Sequence, residues 1–180
     1  MGGGLLPVAF HKGELYFLFG LENKMDDTPG WADFGGGKNN NETYFETAVR
    51  EGTEELNGFL GTINNVRKMV KRNKILIVKH KTYSTYIFLT DYDEKLPMYF
   101  NNNFQFSQRK MPQLIENTKN GLLEKQRIKW FSVKELKTDK TFRPFYQEIV
   151  DKITGKLPVI SEKVKARIQK VKQTKKNKKN

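Results

Sequence analysis

The chain of 180 residues contains no cysteine. That excludes disulfides and thiolate chemistry and permits a reducing compartment. Histidine is limited to His11 and His80, which argues against a histidine-rich zinc site and leaves oxygen ligands as the realistic metal chemistry. No apolar run approaches ~20 residues, so no membrane span is expected. The start, Met1-Gly2-Gly3-Gly4, lacks the charged and apolar regions of a signal peptide, and a cytoplasmic location is expected. Acid is missing from one end: residues 163–180 hold nine Lys or Arg and no Asp or Glu.

What is present suits one domain with a sizeable core, since 12% of the residues are aromatic. Net charge is +13, but the 24 basic and 20 acidic residues outside that end give only +4. The basic character is therefore mostly a tail. Such a tail favours polyanions such as RNA, DNA or polyphosphates; the plainer reading is a solvated, disordered end.

Patterning places strands at Leu5–Phe10 and Glu14–Phe19 around the turn His11-Lys12-Gly13. The polar stretch Leu21–Gly30 reads as a loop, and Trp31–Phe34 alternates into Gly35-Gly36-Gly37. Glu42–Asn57 reads as a helix, Ile75–His80 and Thr82–Thr90 as a strand pair, and Arg127–Ser132 as a strand followed by a helical turn at Val133–Leu136. Residues 91–121 read as irregular and long for a plain loop. Thr141–Ile153 and Ser161 to about Val171 have helical periodicity. The expected fold is α/β (α+β), a mixed sheet flanked by helices, over residues 1–158. Residues 159–180 would form a basic, partly disordered helix or tail.

The chemistry concentrates on one segment. Five residues separate Gly36 from Glu42, seven more separate Glu42 from Arg50-Glu51, and Glu54-Glu55 follows. Thr43 and Glu46 form a capping box, so a helix begins near Thr43. Glu46 and Arg50 are spaced to pair. Phe45, Ala48, Val49, Gly52 and Leu56 make the core-facing stripe. Glu51, Glu54 and Glu55 fall on another face, where three carboxylates within one turn repel. A divalent cation relieves that repulsion and supplies a Lewis acid, and Mg2+ or Mn2+ suits such ligands.

This spacing resembles the box of the Nudix hydrolases closely over residues 36–58, with a looser resemblance from about residue 5 to about 150. The resemblance implies a mixed curved sheet sandwiched between helices and a Mg2+- or Mn2+-dependent pyrophosphohydrolase. It implies metal ligands at Glu51, Glu54 and Glu55, a backbone carbonyl from Gly35 or Gly36, a supporting Glu42, and an Arg50 that holds Glu51 by an ion pair. Three positions depart from the pattern. Gly52 replaces a bulky aliphatic, Asn57 replaces a glycine that Gly58 follows one residue late, and Phe34 stands where many members have proline. These concern packing and helix termination. Some members take a further carboxylate six residues before a late-strand tryptophan, which here makes Glu124, before Trp130, the extra ligand or general base; Glu116, Asp91, Asp93 and Glu94 compete with it.

The box does not choose the substrate. Lys68, Lys71, Arg72, Lys74, Lys79 and Lys81 form a second basic cluster, and Tyr99, Phe100, Phe104 and Phe106 lead to Arg109-Lys110. Cations beside aromatics suit RNA, so Lys38, Lys74, Phe104 and Arg109 become substrate candidates, with core packing as the alternative for each aromatic. The Lys/Asn-rich composition is similar in style to Nudix proteins of large DNA viruses, which include mRNA-decapping and diphosphoinositol-polyphosphate hydrolases. Cleavage of an mRNA 5′-cap is the favoured expectation. Dinucleoside polyphosphates, ADP-ribose and diphosphoinositol polyphosphates are the alternatives, as is an idle Nudix fold that binds RNA.

Overall fold

A computed structural model of the protein describes residues 1–25, 27–117, 121–139 and 141–177. The elements in chain order are β1 (Gly2–His11), β2 (Glu14–Glu22), β3 (Trp31–Ala32), β4 (Phe34–Gly37), α1 (Tyr44–Glu55), α2 (Ile63–Asn73), β5 (Lys74–His80), β6 (Tyr83–Leu89), α3 (Leu96–Lys110), α4 (Pro112–Glu116), β7 (Lys125–Ser132), α5 (Val133–Thr138), α6 (Pro144–Thr154) and α7 (Leu157–Asn177).

The β1–β2 hairpin follows from its turn. Lys12 and Gly13 both have positive φ, 47° and 89°, the twist that two-residue hairpins require. The strands run in the order β3-β2-β1-β6-β5, with β4 pairing β1 and β7 pairing β2. β1 is parallel to β6 and antiparallel to β2 and β4, so the sheet is mixed.

Both faces of the sheet are covered, as the alternation along the strands demands. On one face Leu6, Val8, Phe17, Phe19 and Phe131 pack against the apolar side of α6 and the start of α7. On the other, Leu5, Tyr86 and Phe88 meet Ala48 and Val49 of α1 and Val66 and Val70 of α2. Beside them Ala9, Leu18 and Ile128 meet Leu56 and Phe100. Burial of side chains this size contributes roughly 1.5–3 kcal/mol each, which anchors α1 against the centre of the sheet.

Five elements differ markedly from the sequence reading. β1 starts at Gly2 instead of Leu5, because Gly2–Gly4 pair with Gly35–Gly37 at a backbone approach that side chains would block. The reading assigns nothing to α2, whose apolar stripe is only Val66 and Val70 among Asn, Lys and Arg. The stretch read as irregular contains α3 and α4; Phe100, Phe104 and Ser107 give α3 its buried stripe, diluted by Asn and Gln. Finally, α7 begins at Leu157 and runs to Asn177. Leu157, Ile160 and Val164 are buried on one stripe, and Lys and Gln beyond them are good helix formers. Residues 178–180, expected to be disordered, lie outside the described residues. Among the described residues no helix is long and apolar enough to cross a membrane.

Candidate active site

α1 is capped as its sequence requires. Thr43 Oγ1 accepts from Glu46 N at 3.2 Å, and Glu46 Oε2 accepts from Thr43 N at 2.8 Å. That contact engages Glu46, so the expected Glu46–Arg50 pair is replaced. Arg50 turns to other partners: Nε lies 2.8 Å from Glu42 Oε1, Nη1 lies 2.8 Å from Glu51 Oε1 and 3.2 Å from Glu54 Oε2, and Nη2 donates to the Gly37 carbonyl at 3.1 Å. One planar guanidinium thus orders three carboxylates and the end of β4, which a lysine could not do. The Arg50 hydrogen bonds hold the Glu42 carboxyl down at about 2.

The glycine strand closes on the same cluster. A Cβ at Gly36 would sit 2.7 Å from the Glu51 carboxylate, so only glycine lets the backbone lie against that group. Burial raises the Glu51 carboxyl; Arg50 opposes this, and the charges of Glu54 and Glu42 add to it.

The loop before β7 brings in Glu124. Leu123 N donates to Asn57 Oδ1 at 3.3 Å, and Asn57 itself takes a left-handed φ of 48° just beyond α1. The residue that ends the helix therefore also fastens the loop. Burial raises the Glu124 carboxyl, and next in importance is the negative charge of Glu51, with Glu22 and Glu54 contributing and Lys125 opposing. Glu124 thus lies within electrostatic reach of Glu51 and Glu54, and Gly121 of the same loop approaches Glu54. Of its rivals, Asp93 is committed to capping α3 through Lys95 N at 2.8 Å, while Glu116 and Glu94 are exposed and Asp91 lies elsewhere, beside α7. A cavity of about 500 Å³ opens beside Glu124, lined also by Asn23, Met25, Ile115, Leu122 and Arg143.

Glu55 differs from its sequence reading. It is 3% exposed, whereas the Glu54 side chain is 41% exposed, so the two do not share an open face. Glu55 Oε2 accepts from Gly35 N at 2.7 Å, and Oε1 lies 3.1 Å from Lys125 Nζ. Lys125 also contacts Glu22, and Arg143 Nη1 reaches Glu22 Oε1 at 2.8 Å. Burial drives the Glu55 carboxyl well up, against the pull of Lys125. Burial alone would lower the Lys125 ammonium, but Glu55 and Glu22 outweigh it and leave it raised. Among the described residues no three acidic or histidine side chains converge as an ion's ligand set; Glu51 and Glu54 are drawn together by Arg50, and the Gly36 backbone lies against Glu51. These are hard oxygen donors, and the carboxylates outnumber the one guanidinium among them, which fits Mg2+ or Mn2+.

Sequence reasoning missed Glu22, Lys125 and Arg143. A register shift between Leu21 and Glu22 in the β2–β7 pairing accompanies the inward turn of Glu22, and no sequence signal announces it. The substrate candidates scatter. Lys38, Lys74 and Arg109 are exposed on the loop after β4, the start of β5 and the end of α3. Phe104 is 5% exposed and packs with Ile115 and Leu123, so its ring presents no open face for a base. Tyr99 and Phe106 of the same helix stay exposed.

No family model matches the chain. A stretch of 57 residues is 46% identical to an uncharacterised protein of Acanthamoeba polyphaga mimivirus, covering 29% of this chain and 18% of that protein. A crystal structure of a Caenorhabditis elegans Ap4A hydrolase binary complex superposes with TM-score 0.53 and 13% identity over 88% of this chain and 98% of that one. The Mycobacterium smegmatis Nudix hydrolase RenU superposes with TM-score 0.51 and 14% identity, covering 87% of each chain. The fold is the Nudix fold. A bifunctional NMN adenylyltransferase/ADP-ribose pyrophosphatase from Francisella tularensis, complexed with AMP and a manganese ion, superposes with TM-score 0.50 and 15% identity over 88% of this chain and 41% of that one. In this Nudix fold, the loop and helix from Gly36 to Gly58 hold Glu54 at the surface, Glu51 half-buried and Glu55 in the interior.

Proposed function

We propose that the protein is a Mg2+- or Mn2+-dependent pyrophosphohydrolase that cleaves the P–O–P linkage of a nucleoside diphosphate derivative. The observation that supports this reading is the cluster of Glu42, Glu51 and Glu54 on Arg50 beside the Gly36 backbone, with Glu124 within electrostatic reach. Glu51, Glu54 and the carbonyl of Gly36, or of its neighbour Gly35, would hold the cation. When bound, the cation would acidify water and neutralise charge developing on the phosphates. Arg50 fixes Glu51 and Glu54 in orientation, with Glu42 as its counter-ion. Glu124, with its raised carboxyl, takes the proton of the attacking water. The water oxygen then bonds to phosphorus as the bond to the bridging oxygen breaks. Glu55 acts one step back: with Lys125 it holds the Gly35 amide, and so the glycine strand, in place.

For substrate, an mRNA 5′-cap is favoured by the basic C-terminal run and the Lys68–Lys81 cluster, with release of the capped nucleoside diphosphate. Small nucleotides such as dinucleoside polyphosphates and ADP-ribose are the second reading, supported by the cavity beside Glu124 and by the ligands of the folds it resembles. The test is a panel of capped RNA, dinucleoside polyphosphate, ADP-ribose and diphosphoinositol polyphosphate with Mg2+ or Mn2+, products identified by mass. Capped RNA is expected to have the highest kcat/KM. A small substrate that exceeds it overturns decapping and keeps the hydrolase. No turnover on any substrate overturns the hydrolase and leaves an idle Nudix fold that binds RNA.

A further inference from the structure

The two basic clusters that are far apart in sequence meet in the fold. A groove of about 530 Å³ runs between the C-terminal end of α2 and the middle of α7. Its floor is apolar, from Met69, Leu89, Ile168 and Val171, and Arg72 and Arg167 stand on its two walls. We infer that this groove, continued along α7, is a binding surface for the backbone of single-stranded RNA.

The charge arrangement favours an extended polyanion. On α2, Lys68 and Arg72 are i,i+4, and on α7, Lys163, Arg167 and Lys170 are i, i+4 and i+7, so each set forms a row on one helix face. Lys68, Arg72, Lys163 and Lys170 are exposed and Arg167 is half-buried. Among the described residues none of these five makes an ion pair, while Arg50, Lys125 and Lys129 all do. α2 carries no acid, and α7 carries only Glu162. α7 continues to Asn177, roughly 20 Å beyond Lys163 along its axis, longer than a single nucleotide requires. Guanidinium forks suit phosphate oxygens.

The groove's other polar groups suit ribose. Asn73 and Thr90 lie beside Arg72, and Asp91 is the acid of the groove. An amide, a hydroxyl and a carboxylate acceptor can bond 2′-hydroxyls, which DNA lacks. Asp91 also keeps a phosphate from that end. A membrane surface is a poorer fit, because Met69, Leu89 and Ile168 are partly buried between the elements and α7 beyond Val171 is polar. The inference does not rest on the hydrolase reading, since no groove residue belongs to the carboxylate cluster.

The experiment is fluorescence anisotropy with a labelled, uncapped 20-nucleotide RNA and the full chain, in EDTA and across a salt series. The wild type should bind with strong salt dependence. The pair Arg72→Gln and Arg167→Gln should lose at least ten-fold in affinity, and the slope of log K against log salt should shrink by about 1.4, the value for two single-strand phosphate contacts. Lys134→Gln, on exposed α5, should bind within two-fold of wild type. Circular dichroism melting confirms that each variant is folded; if the double variant melts early, the single variants should each lose part of the slope. Unchanged affinity and slope in the folded variants overturn the inference. So does equal affinity for DNA of the same sequence, or equal competition by polyglutamate. Because the assay contains EDTA, a failure of hydrolysis in the substrate panel leaves this result untouched.

Discussion

Lys125 Nζ stands 3.1 Å from Glu55 Oε1, and both side chains are buried against the sheet. Lys125 sits directly after Glu124 in the chain, and Glu55 directly after Glu54. The pair therefore locks the inner neighbours of two groups that face the candidate metal site. Removing one partner of a buried pair leaves an uncompensated charge and costs about 3–5 kcal/mol. Lys125→Met should lower the unfolding free energy from urea titration by that amount, and adding Glu55→Gln should restore part of the loss. A shift below about 1 kcal/mol, or no recovery in the double variant, would rule out the pair as an anchor.

Glu54 and Glu55 are adjacent but should fail differently. Glu54→Gln removes a partly exposed carboxylate, so turnover should disappear while unfolding stays within about 0.5 kcal/mol of wild type. Glu55→Gln should lower both turnover and stability, since it disturbs Lys125 and the bond to Gly35 N. Parallel urea titrations and Mg2+-dependent rates check this; wild-type turnover in Glu54→Gln would refute the role given to that residue.

Gly52 is glycine because Leu5 fills the space beside it: a Cβ there would lie 2.6 Å from Leu5 Cδ1 and 2.7 Å from Cγ. In a helix interior, alanine ordinarily gains about 1 kcal/mol over glycine, but overpacking a buried leucine costs roughly 1–3 kcal/mol. Gly52→Ala should therefore destabilise the wild type and stabilise the Leu5→Ala background. Equal effects in both backgrounds, measured by denaturant midpoints, would show that Leu5 is not the constraint.

Asp33 is buried and accepts from Tyr83 Oη and Thr85 Oγ1, each at 2.8 Å. Burial outweighs these bonds and raises its carboxyl from 3.8 to about 6. Between those values the folded chain holds a proton that the unfolded chain has lost. Stability from this group is full below pH about 4 and falls as pH rises to about 6, by on the order of 3 kcal/mol. Asp33→Asn should remove that fall. Parallel pH profiles for the two proteins would contradict the assignment.

Much of the site-bearing segment was readable in order along the chain. The Thr43–Glu46 box announces the start of α1, and the spacing from Gly36 to Glu55 announces what α1 carries. Local signals sufficed there because capping and helical periodicity act within a few residues. α3 was hidden, since only Phe100, Phe104 and Ser107 mark its buried face and the Asn and Gln between them resemble a loop. Arg50 and Glu46 satisfied the pairing rule, yet the capping box claimed Glu46 and left Arg50 to Glu42, Glu51 and Glu54.

By itself the sequence determined which carboxylates are available, where their helix starts, and that oxygen ligands dominate any metal chemistry. Tertiary structure alone decided which of them look outward. Glu54 and Glu55 carry the same charge one helical step apart, and β7 brings Lys125 beneath one and leaves the other at the surface. It also decided that α2 and α7, about ninety residues apart, share one basic groove. Both outcomes depend on long-range packing of a mixed sheet, where the partner's position is set by strand order and no local pattern encodes it.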